Sequence, residues 1–425
     1  MSLEQIYEIF ISSNGICTDT RKLKKNDLFF SLSGDNFNGN TFAKEAIQKG
    51  AIAAIIDDKN YSNDKTITVS DTLKTLQLLA NYHRKKLNTT IIALTGSNGK
   101  TTTKELINAV LSSSYNTSAT LGNLNNHIGV PLTLLKMTPD TEIGIVEMGA
   151  NHLNEIAELC TIAEPNYGYI TNFGKAHLEG FGSLDGVIKG KSELYNYLRK
   201  HKQKAFINNN NKTQITQAKN IDSYSFSNNE NSNSKIELQQ NKKFVSVAYK
   251  NSIINSNLVG TYNFTNIAAA ISIGEYFKID ENIIKNAIEN YTPTNNRSQI
   301  IEKNSNQIIL DAYNANPTSM KAAIENIHSI ETKHKNKTLF IGDMFELGKI
   351  AATEHQNIID YIETLNFNNI YIIGELFSNT KHNNNIKSFN DFKDLKSSFK
   401  EKISNNTILI KGSRGMALER ILDLL

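Results

Sequence analysis

The chain has 425 residues, of which 39% are hydrophobic and 21% charged, and its formal net charge is +4. This composition excludes a wholly disordered, collagen-like or low-complexity chain, and at about 100–200 residues per domain the length predicts two to four domains. Two cysteines are too few for a disulfide framework or a zinc cluster, and the mild positive charge is not clustered enough to indicate a nucleic-acid partner. No apolar run reaches the roughly 18–20 residues of a membrane span and the start does not resemble a signal peptide, so we expect a cytoplasmic protein without a membrane span.

The first two regions of the chain alternate strands with helices. Residues 1–86 contain the short buried-strand pattern GAIAAIID, and a helical pattern then runs from Thr72 to Lys86. Residues 87–294 repeat an order of apolar strand, Gly-rich turn and helix, as in TTIIALTG followed by KTTTKELINAVL. Strands that are bounded by turns and followed by helices indicate parallel α/β sheets.

One stretch of the second region, residues 208–257, is rich in Asn, Ser and Lys and holds short alternating pieces such as KKFVSVAYK. Such alternation is typical of exposed β-hairpins at the edge of a domain, or of a partly mobile insertion. The sequence leaves both interpretations open.

The third region is again of the α/β type. A polar run marks a linker near residues 291–296, about which we expect large domain motion. Four apolar strands follow with helices between them, and RGMALERILDLL is predicted to form a closing helix. The predicted domains are 1–86, 87–294 and 295–425.

The sharpest local signal is TGSNGKTT, from Thr95 to Thr102, which follows a predicted strand and opens a predicted helix. That is the context of a P-loop, in which glycines let backbone N–H groups point at phosphate and the helix N-terminus adds its positive dipole end. Lys100 is expected against the β- and γ-phosphates and the Thr101 hydroxyl on Mg²⁺. Because Leu94 stands at the first glycine position of the commonest form, the alternative is a plain Gly-rich turn. The predicted nucleotide-binding residues here are Gly96, Ser97, Asn98, Gly99, Lys100, Thr101 and Thr102.

Two candidate metal ligands follow later strands. Glu147 ends the strand EIGIVEM, and the carboxyl ends of parallel strands are where ligands bind, so its carboxylate suits Mg²⁺; the alternative is a surface-loop glutamate. His177 follows another strand and belongs to the same rim, although a lone histidine is more often structural or solvated. By composition alone, Lys191 is a solvated helix lysine.

Nine motifs stand in order along the chain. They are TGSNGKTTTKE, GNLNNHIGVPLTLL, VEMGANHLNEI, ITNFGKAHLEGFGS, GKSELY, GTYNFTNIAAA, DAYNANPTSM, GDMFELG and KGSRGMALE. On these motifs the chain resembles the Mur ligase family, which builds the peptidoglycan stem peptide with ATP. The resemblance implies an N-terminal UDP-sugar-binding α/β domain, a central P-loop ATPase domain with a parallel sheet, and a C-terminal Rossmann-like α/β domain.

The resemblance also implies roles for individual residues. Lys191 matches the lysine that the family carbamylates, which turns a cation into an anionic ligand, and His177 matches a ligand of a second Mg²⁺. The implied catalytic residues are Lys100, Glu147, His177 and Lys191, and the metal ligands are Thr101, Glu147, His177 and carbamylated Lys191. The implied nucleotide contacts outside the loop are Asn263, Asn266, Arg297 and Asp311. The implied substrate contacts are Thr18, Asp19, Arg21, Asn38, Asn126, Lys411, Ser413 and Arg414.

Three segments, NNHIGVP, DAYNANP and GDMFELG, resemble the branch of the family that joins D-alanyl-D-alanine to a UDP-N-acetylmuramoyl tripeptide. The resemblance implies amide-bond formation through an acyl phosphate with ATP and Mg²⁺, with these two small molecules as partners. We expect a monomer, because no exposed apolar stripe in the sequence demands an oligomer. The alternatives are a tripeptide-forming or folate-glutamating ligase of the same superfamily, and a P-loop protein that uses nucleotide as a switch.

Overall fold

The computed structural model describes residues 1–239 and 243–425. Its strands form three sheets in chain order, with four, nine and six strands. Most pairs are parallel, because helices connect successive strands across the faces of the sheets. The predicted α/β fold class with three units is therefore correct. In the part of the chain described, no helix is both long and apolar enough to cross a membrane.

The first unit is a small parallel sheet whose strands pair in chain order. The helix predicted from Thr72 begins there because the Asp71 side chain accepts a hydrogen bond from the Lys74 backbone, and it ends at left-handed Asn88. The elements are β1 (Ile16–Cys17), β2 (Leu28–Phe30), β3 (Ala53–Ile56), β4 (Thr66–Thr68), α1 (Leu3–Ser12), α2 (Ala43–Gln48) and α3 (Thr72–Leu87).

The second unit is a nine-stranded sheet in the order β13-β12-β11-β10-β9-β8-β5-β7-β6. Its strands are β5 (Thr90–Thr95), β6 (Thr117–Ala119), β7 (Ile143–Glu147), β8 (Tyr167–Ile170), β9 (Lys204–Asn208), β10 (Asp222–Ser227), β11 (Ser234–Gln239), β12 (Phe244–Tyr249) and β13 (Ser252–Val259). Its helices are α4 (Lys100–Leu111), α5 (Gly129–Leu134), α6 (Glu155–Ala163), α7 (Leu178–Phe181), α8 (Leu184–Lys200), α9 (Lys212–Gln217), α10 (Phe264–Tyr276) and α11 (Glu281–Asn290). The sheet is parallel except at the β11–β12–β13 edge.

That edge takes in the second half of the Asn-rich stretch, from Ser234 onward. The hairpin interpretation is correct, since β11, β12 and β13 pair antiparallel; residues 240–242 lie outside the described residues. The expectation that these hairpins are exposed is wrong. Val247, Tyr249, Ile254 and Leu258 are buried in one cluster with α10 and α11, because one face of each strand carries apolar side chains.

The first two units share one apolar core. Helix α3 packs against α5 and α6, and Leu76 and Leu79 lie in the same buried cluster as Val130 and Leu159. The domain boundary predicted after residue 86 falls in the last turn of α3. It stays a prediction, as does the boundary after residue 294.

The third unit is a six-stranded sheet in the order β14-β15-β19-β16-β17-β18, with only β14 antiparallel to its neighbour. Its strands are β14 (Gln299–Lys303), β15 (Asn306–Asp311), β16 (Asn336–Gly342), β17 (Asn369–Ile373), β18 (Ile386–Phe389) and β19 (Asn406–Lys411). Its helices are α12 (Pro317–Ser329), α13 (Ala351–Glu363), α14 (Glu375–Ser378) and α15 (Phe392–Ser398). The last strand enters the middle of the sheet, so the carboxyl ends of β15, β19 and β16 lie side by side.

The C-terminal segment differs from its prediction as a closing helix. It forms 3₁₀ turns at Arg414–Met416 and Leu418–Leu424. Ala417 has a left-handed backbone, with φ of 48°, which interrupts an α-helical ladder. Leu418 and Ile421 are buried three residues apart, the spacing at which a 3₁₀ helix places side chains on one face.

Candidate active site

The phosphate loop joins β5 to α4 in a conformation that needs its glycines. Gly96 and Gly99 have φ of 143° and 77°, in the region that side chains disfavour. A Cβ on Gly96 would lie 2.0 Å from Thr171 Oγ1, and one on Gly99 would lie 2.6 Å from Asn266 Oδ1. The loop therefore closes against two neighbouring segments, which the strand–turn–helix context alone could not reveal.

Residues 171–174, which follow β8, form hydrogen bonds with the phosphate loop. Thr171 Oγ1 donates to Asn98 O at 2.6 Å, and the Asn98 backbone donates to Asn172 Oδ1 at 3.0 Å. Ser97 Oγ donates to Gly174 O at 3.0 Å and accepts from the Gly174 backbone at 2.9 Å. These bonds fix the backbone whose N–H groups would meet phosphate.

Lys100 folds over the loop that precedes it. Its Nζ donates to Gly96 O at 2.7 Å, and the Thr101 side chain is buried beside it at the start of α4. Burial lowers the pKa of Lys100, and the charge of Glu147 opposes that shift. An anion bound at the loop would offset the cost of burying the charged Lys100 ammonium.

Glu147 ends β7 as a buried carboxylate, 1% exposed, rather than a surface-loop residue. Asn125 Nδ2 donates to Oε1 at 2.8 Å, and the Glu147 backbone donates to Thr120 Oγ1 at 3.0 Å. Oε2 is buried without a hydrogen-bond partner among the described residues. A buried, unpaired carboxylate oxygen beside a phosphate loop fits a hard divalent cation.

His177 precedes the short helix α7 with a left-handed backbone, φ 53°. Its Nδ1 lies 2.6 Å from Glu346 Oε2, so the imidazole and the carboxylate are in direct contact. His177 lowers the pKa of Glu346, and the charge of Lys100 adds to that effect. Glu346 belongs to the third unit and was missed by sequence reasoning, although it lies within the GDMFELG motif.

Lys191 is fully buried, so its interpretation as a solvated helix lysine is wrong. Its Nζ donates to Ala150 O at 2.9 Å and lies 5.0 Å from the centre of the Phe181 ring. Burial holds the pKa of this amine well below its ordinary value, and the charge of Lys100 lowers it further. The side chain lies behind the cavity wall formed by Ala150 rather than on the cavity surface.

The two predicted asparagines of α10 and the turn before it are buried and hydrogen-bonded. Asn266 Nδ2 donates to Asn263 Oδ1 at 2.8 Å, and Asn266 Oδ1 accepts from Thr103 Oγ1 at 3.0 Å. Asn263 Nδ2 donates to Val259 O at 2.8 Å. These bonds tie the end of β13 to the first turns of α4, beside the phosphate loop.

The third unit presents Arg297 and Asp311 to the same space. The Arg297 guanidinium lies 3.6 Å from the centre of the Tyr313 ring, and its Nε is buried without a partner within the described residues. Asp311 Oδ2 pairs with Lys411 Nζ at 2.6 Å. Stacking orients the guanidinium while leaving its N–H groups available to an anion.

Most of these groups surround one cavity of about 800 Å³ between the second and third units. The predicted residues that line it are Ser97, Asn98, Gly99, Lys100, Thr101, Thr102, Asn126, Glu147, His177, Asn263, Asn266, Arg297, Asp311 and Lys411. Those that do not are Gly96, Lys191, Thr18, Asp19, Arg21, Asn38, Ser413 and Arg414. The roles assigned to both sets stay predictions.

Several of the residues outside the cavity have local partners. Arg21 forms a two-pronged pair with Asp19, at 2.8 Å for both bonds, and the Asn38 side chain accepts from the Asn40 backbone at 3.0 Å. Ser413 Oγ accepts from the Phe345 backbone at 2.9 Å, so it supports the motif that carries Glu346.

A divalent cation in the cavity would need oxygen atoms besides those of the chain. Within residues 1–239 and 243–425, no three His, Cys, Asp or Glu side chains cluster so as to hold a metal ion by themselves. Phosphate oxygens of a bound nucleotide would complete the shell around Thr101 and Glu147, as in other phosphate loops. The fold and the cavity thus define a P-loop protein built from three α/β units.

Comparison with known proteins agrees with that class. Three family descriptions match: "Mur ligase family, catalytic domain" over residues 12–84, "Mur ligase middle domain" over 94–274, and "Mur ligase, glutamate ligase domain" over 296–414. A protein of Bacillus subtilis named UDP-N-acetylmuramoyl-tripeptide--D-alanyl-D-alanine ligase is 36% identical, covering 96% of this chain and 92% of its own. One of Escherichia coli with the same name is 32% identical, covering 97% and 93%. The chain belongs to the Mur ligase family.

Solved structures extend the likeness to the whole fold. MurF from Acinetobacter baumannii superposes with a TM-score of 0.84 at 27% identity, covering 100% of this chain and 98% of the other. MurF from Thermotoga maritima, solved in complex with ADP, gives a TM-score of 0.83 at 25% identity and 97% coverage of both chains. The resemblance inferred from the nine motifs is confirmed.

Proposed function

We propose that the chain joins D-alanyl-D-alanine to the tripeptide of a UDP-N-acetylmuramoyl tripeptide, converting ATP to ADP and phosphate. The observation that carries this proposal is the cavity in which a phosphate loop, the unpaired Glu147 Oε2 and the Arg297 guanidinium meet. The substrate assignment is supported by identity to ligases of that name over nearly the whole chain. The product is a UDP-linked pentapeptide precursor of peptidoglycan.

The first step is phosphoryl transfer. A terminal carboxylate oxygen of the tripeptide attacks the γ-phosphorus, the bond to the bridging oxygen breaks, and ADP leaves with that electron pair. We infer that the loop backbone, Lys100 and Arg297, which line the cavity, neutralise charge that spreads over the phosphoryl oxygens. Such a transfer needs positioning and charge rather than a nucleophilic side chain.

The second step forms the amide. The free amine of D-alanyl-D-alanine attacks the acyl carbon, and the tetrahedral intermediate expels inorganic phosphate as the amine loses a proton. Water would hydrolyse the acyl phosphate, so the cavity must be covered while it exists. The third unit, which supplies Arg297, Asp311 and Lys411, provides that cover.

The buried Glu147 Oε2, which has no hydrogen-bond partner among the described residues, fits Mg²⁺ beside the phosphate loop. Thr101 and Glu147 would hold one ion with the nucleotide phosphates, and His177 and a modified Lys191 would hold a second. Bound there, Mg²⁺ neutralises phosphate charge and polarises the phosphoryl group. Removal of divalent cations by a chelator is expected to abolish phosphate release and to be reversed by added Mg²⁺.

We infer that Lys191 is carbamylated. Burial lowers the pKa of Lys191 and so favours its neutral amine, and a neutral amine adds carbon dioxide, forming an N–C bond and releasing one proton. The anionic product could ligate a metal, which an ammonium cannot. Native mass spectrometry in bicarbonate buffer should show an adduct of one carbon dioxide, and Lys191→Ala should lack it.

The remaining assignments follow from the same activity. We infer that Thr18, Asp19, Arg21 and Asn38 in the first unit lie at the UDP end of the substrate, and that Asn126, Lys411, Ser413 and Arg414 act nearer the peptide and the amine. A monomer in the cytoplasm, where ATP is supplied, fits this chemistry. Light scattering should report the mass of a single chain.

The decisive experiment measures phosphate release from ATP with the UDP-linked tripeptide, with and without D-alanyl-D-alanine, and detects the product by mass. Release that requires both substrates and gives the UDP-pentapeptide is expected. Release stimulated instead by a single amino acid would indicate the tripeptide-forming or folate-glutamating type. Nucleotide binding without release under any condition would indicate a switch protein.

A further inference from the structure

The second and third units meet across the cavity through a few polar contacts. Lys175 Nζ pairs with Glu354 at 2.7 Å, and Asn316 Nδ2 donates to Asn98 Oδ1 at 2.7 Å. The contact between His177 and Glu346 differs from these two, because it involves an expected metal ligand.

Two contacts join the Glu346 region to the start of α7. Besides the side-chain contact of His177 Nδ1 with Glu346 Oε2 at 2.6 Å, the Glu179 backbone donates to Glu346 O at 3.2 Å. Glu346 itself has a left-handed backbone, φ 63°, which turns the chain at this position. Glu346 therefore contacts the start of α7 through both its backbone and its side chain, which places the carboxylate against the imidazole.

The segment that carries Glu346 is held rigidly inside the third unit. Asp343, at its start, accepts hydrogen bonds from the Leu376 and Phe377 backbones at 3.0 and 2.9 Å. The Met344 backbone donates to His355 Nε2 at 3.0 Å, and the next residue is held by Ser413. The position of the carboxylate thus follows the position of the third unit as a whole.

A histidine that ligates a metal through one ring nitrogen commonly has a carboxylate at the other, which fixes the tautomer and the ring orientation. Here the carboxylate faces Nδ1, which leaves Nε2 as the ring nitrogen that would meet a metal. The carboxylate comes from a different unit than the histidine, so the pair exists only when the two units are together.

We propose that Glu346 is a positioning residue that completes the His177 metal site only when the third unit closes on the second. Closure would then assemble the second metal site as well as exclude water, and an open molecule would hold only the cation at Thr101 and Glu147. This inference rests on the proposed function, because it takes His177 as a metal ligand.

The test titrates Mn²⁺, as a paramagnetic substitute for Mg²⁺, into the full chain with a non-hydrolysable ATP analogue and the UDP-linked tripeptide in bicarbonate buffer. Electron paramagnetic resonance counts the bound ions, and small-angle scattering reports closure in the same samples. Glu346→Gln removes the charge and keeps the size, and Glu346→Asp keeps the charge. Glu354→Gln is the matched control, because it removes a contact between the units that does not touch His177.

We expect the wild type to bind two Mn²⁺ ions with different affinities. In Glu346→Gln the affinity of the weaker site should fall by a further factor of about 10 to 100. The affinity of the tighter site and the closed scattering profile should not change. Glu346→Asp should recover part of the loss. Wild-type binding of both ions in Glu346→Gln, equal losses in Glu346→Gln and Glu354→Gln, or a single ion in the wild type would each overturn the inference. A wild type that binds two ions but makes no pentapeptide would contradict only the proposed substrate.

Discussion

The two walls of the cavity are built in different ways. The wall from the second unit consists of adjacent strand ends, where the phosphate loop is bonded to the segment after β8 by at least six hydrogen bonds over a few residues. The wall from the third unit reaches the second through separate contacts, from the side chains of Asn316, Thr318 and Glu354 and from both the side chain and the backbone of Glu346. One wall is a fixed phosphate cradle, and the other is a cover held by separable contacts.

The difference between the two walls agrees with the order in which ligands bind and products leave. Nucleotide and metal must be bound before an acyl phosphate forms, whereas the cover must open to admit and release a UDP-linked peptide. A change in the cradle should therefore lower the rate of phosphoryl transfer. A change in the cover should affect closure and leave the cradle intact.

The largest effect is expected from Lys100→Met. Loss of the ammonium that neutralises the transferring phosphoryl group should lower the maximal rate of phosphate release by about 10²–10³-fold. Folding should be unaffected or improved, because a partly desolvated charge is removed. Steady-state kinetics and a melting curve of the same variant separate the two effects. A rate within a few-fold of the wild type would contradict the role of Lys100.

Asn125→Ala should have the next largest effect. It removes the bond that orients Oε1 of Glu147 and frees the carboxylate to rotate away from its cation. Loss of such a partner typically weakens metal binding about 10- to 100-fold, so the Mg²⁺ concentration for half-maximal activity should rise by that factor. The maximal rate at saturating Mg²⁺ should largely recover. A variant whose rate stays low at any Mg²⁺ concentration would instead show that Asn125 contacts substrate.

The sequence predicts the wall from the second unit better than the wall from the third unit. The cradle was predicted from local order alone, since strand, glycines, Lys100 and helix are contiguous, and the buried end of β7 placed Glu147 at the same edge. Asn125 and Glu346 were missed because each acts on a residue that is distant in the chain, and no periodicity signals that contact. The burial of Lys191 depends on how α8 packs, which the polar composition of its segment concealed.

The segment of the third unit that carries Glu346 should lose stability as the pH falls. His355 is fully buried, donates from Nδ1 to Ala351 O and accepts at Nε2 from the Met344 backbone, so the ring is neutral; burial lowers its pKa below the ordinary 6.5. The unfolded chain therefore binds one more proton below about pH 6.5, and stability is lost as the pH falls, by up to about 1.4 kcal/mol per pH unit. Neighbouring Asp343, whose pKa burial raises, has the opposite sign, because its folded form takes up the proton first and so partly offsets this loss.

Chemical denaturation of the wild type and His355→Gln from about pH 7.5 to 5.5 measures this effect. The acid-dependent loss of unfolding free energy should be smaller in the variant. Identical slopes in both chains would show that the titration of His355 does not contribute.

The smallest effect is expected at the ionic pair between Lys175 and Glu354. Glu354 is 10% exposed but Lys175 is 48% exposed, so solvent screens much of their attraction. A double-mutant cycle with Lys175→Gln and Glu354→Gln should give a coupling free energy below about 1 kcal/mol, read from the concentration of ATP analogue that half-closes the molecule in scattering. The phosphoryl-transfer rate at saturating substrates should change little, because neither side chain touches the cradle. The contrary outcomes are a coupling free energy several times larger, or a single variant that slows phosphoryl transfer as much as is expected for Lys100→Met. Either result would show that the two walls of the cavity do not act independently. The cover would then have to be regarded as part of the phosphate site.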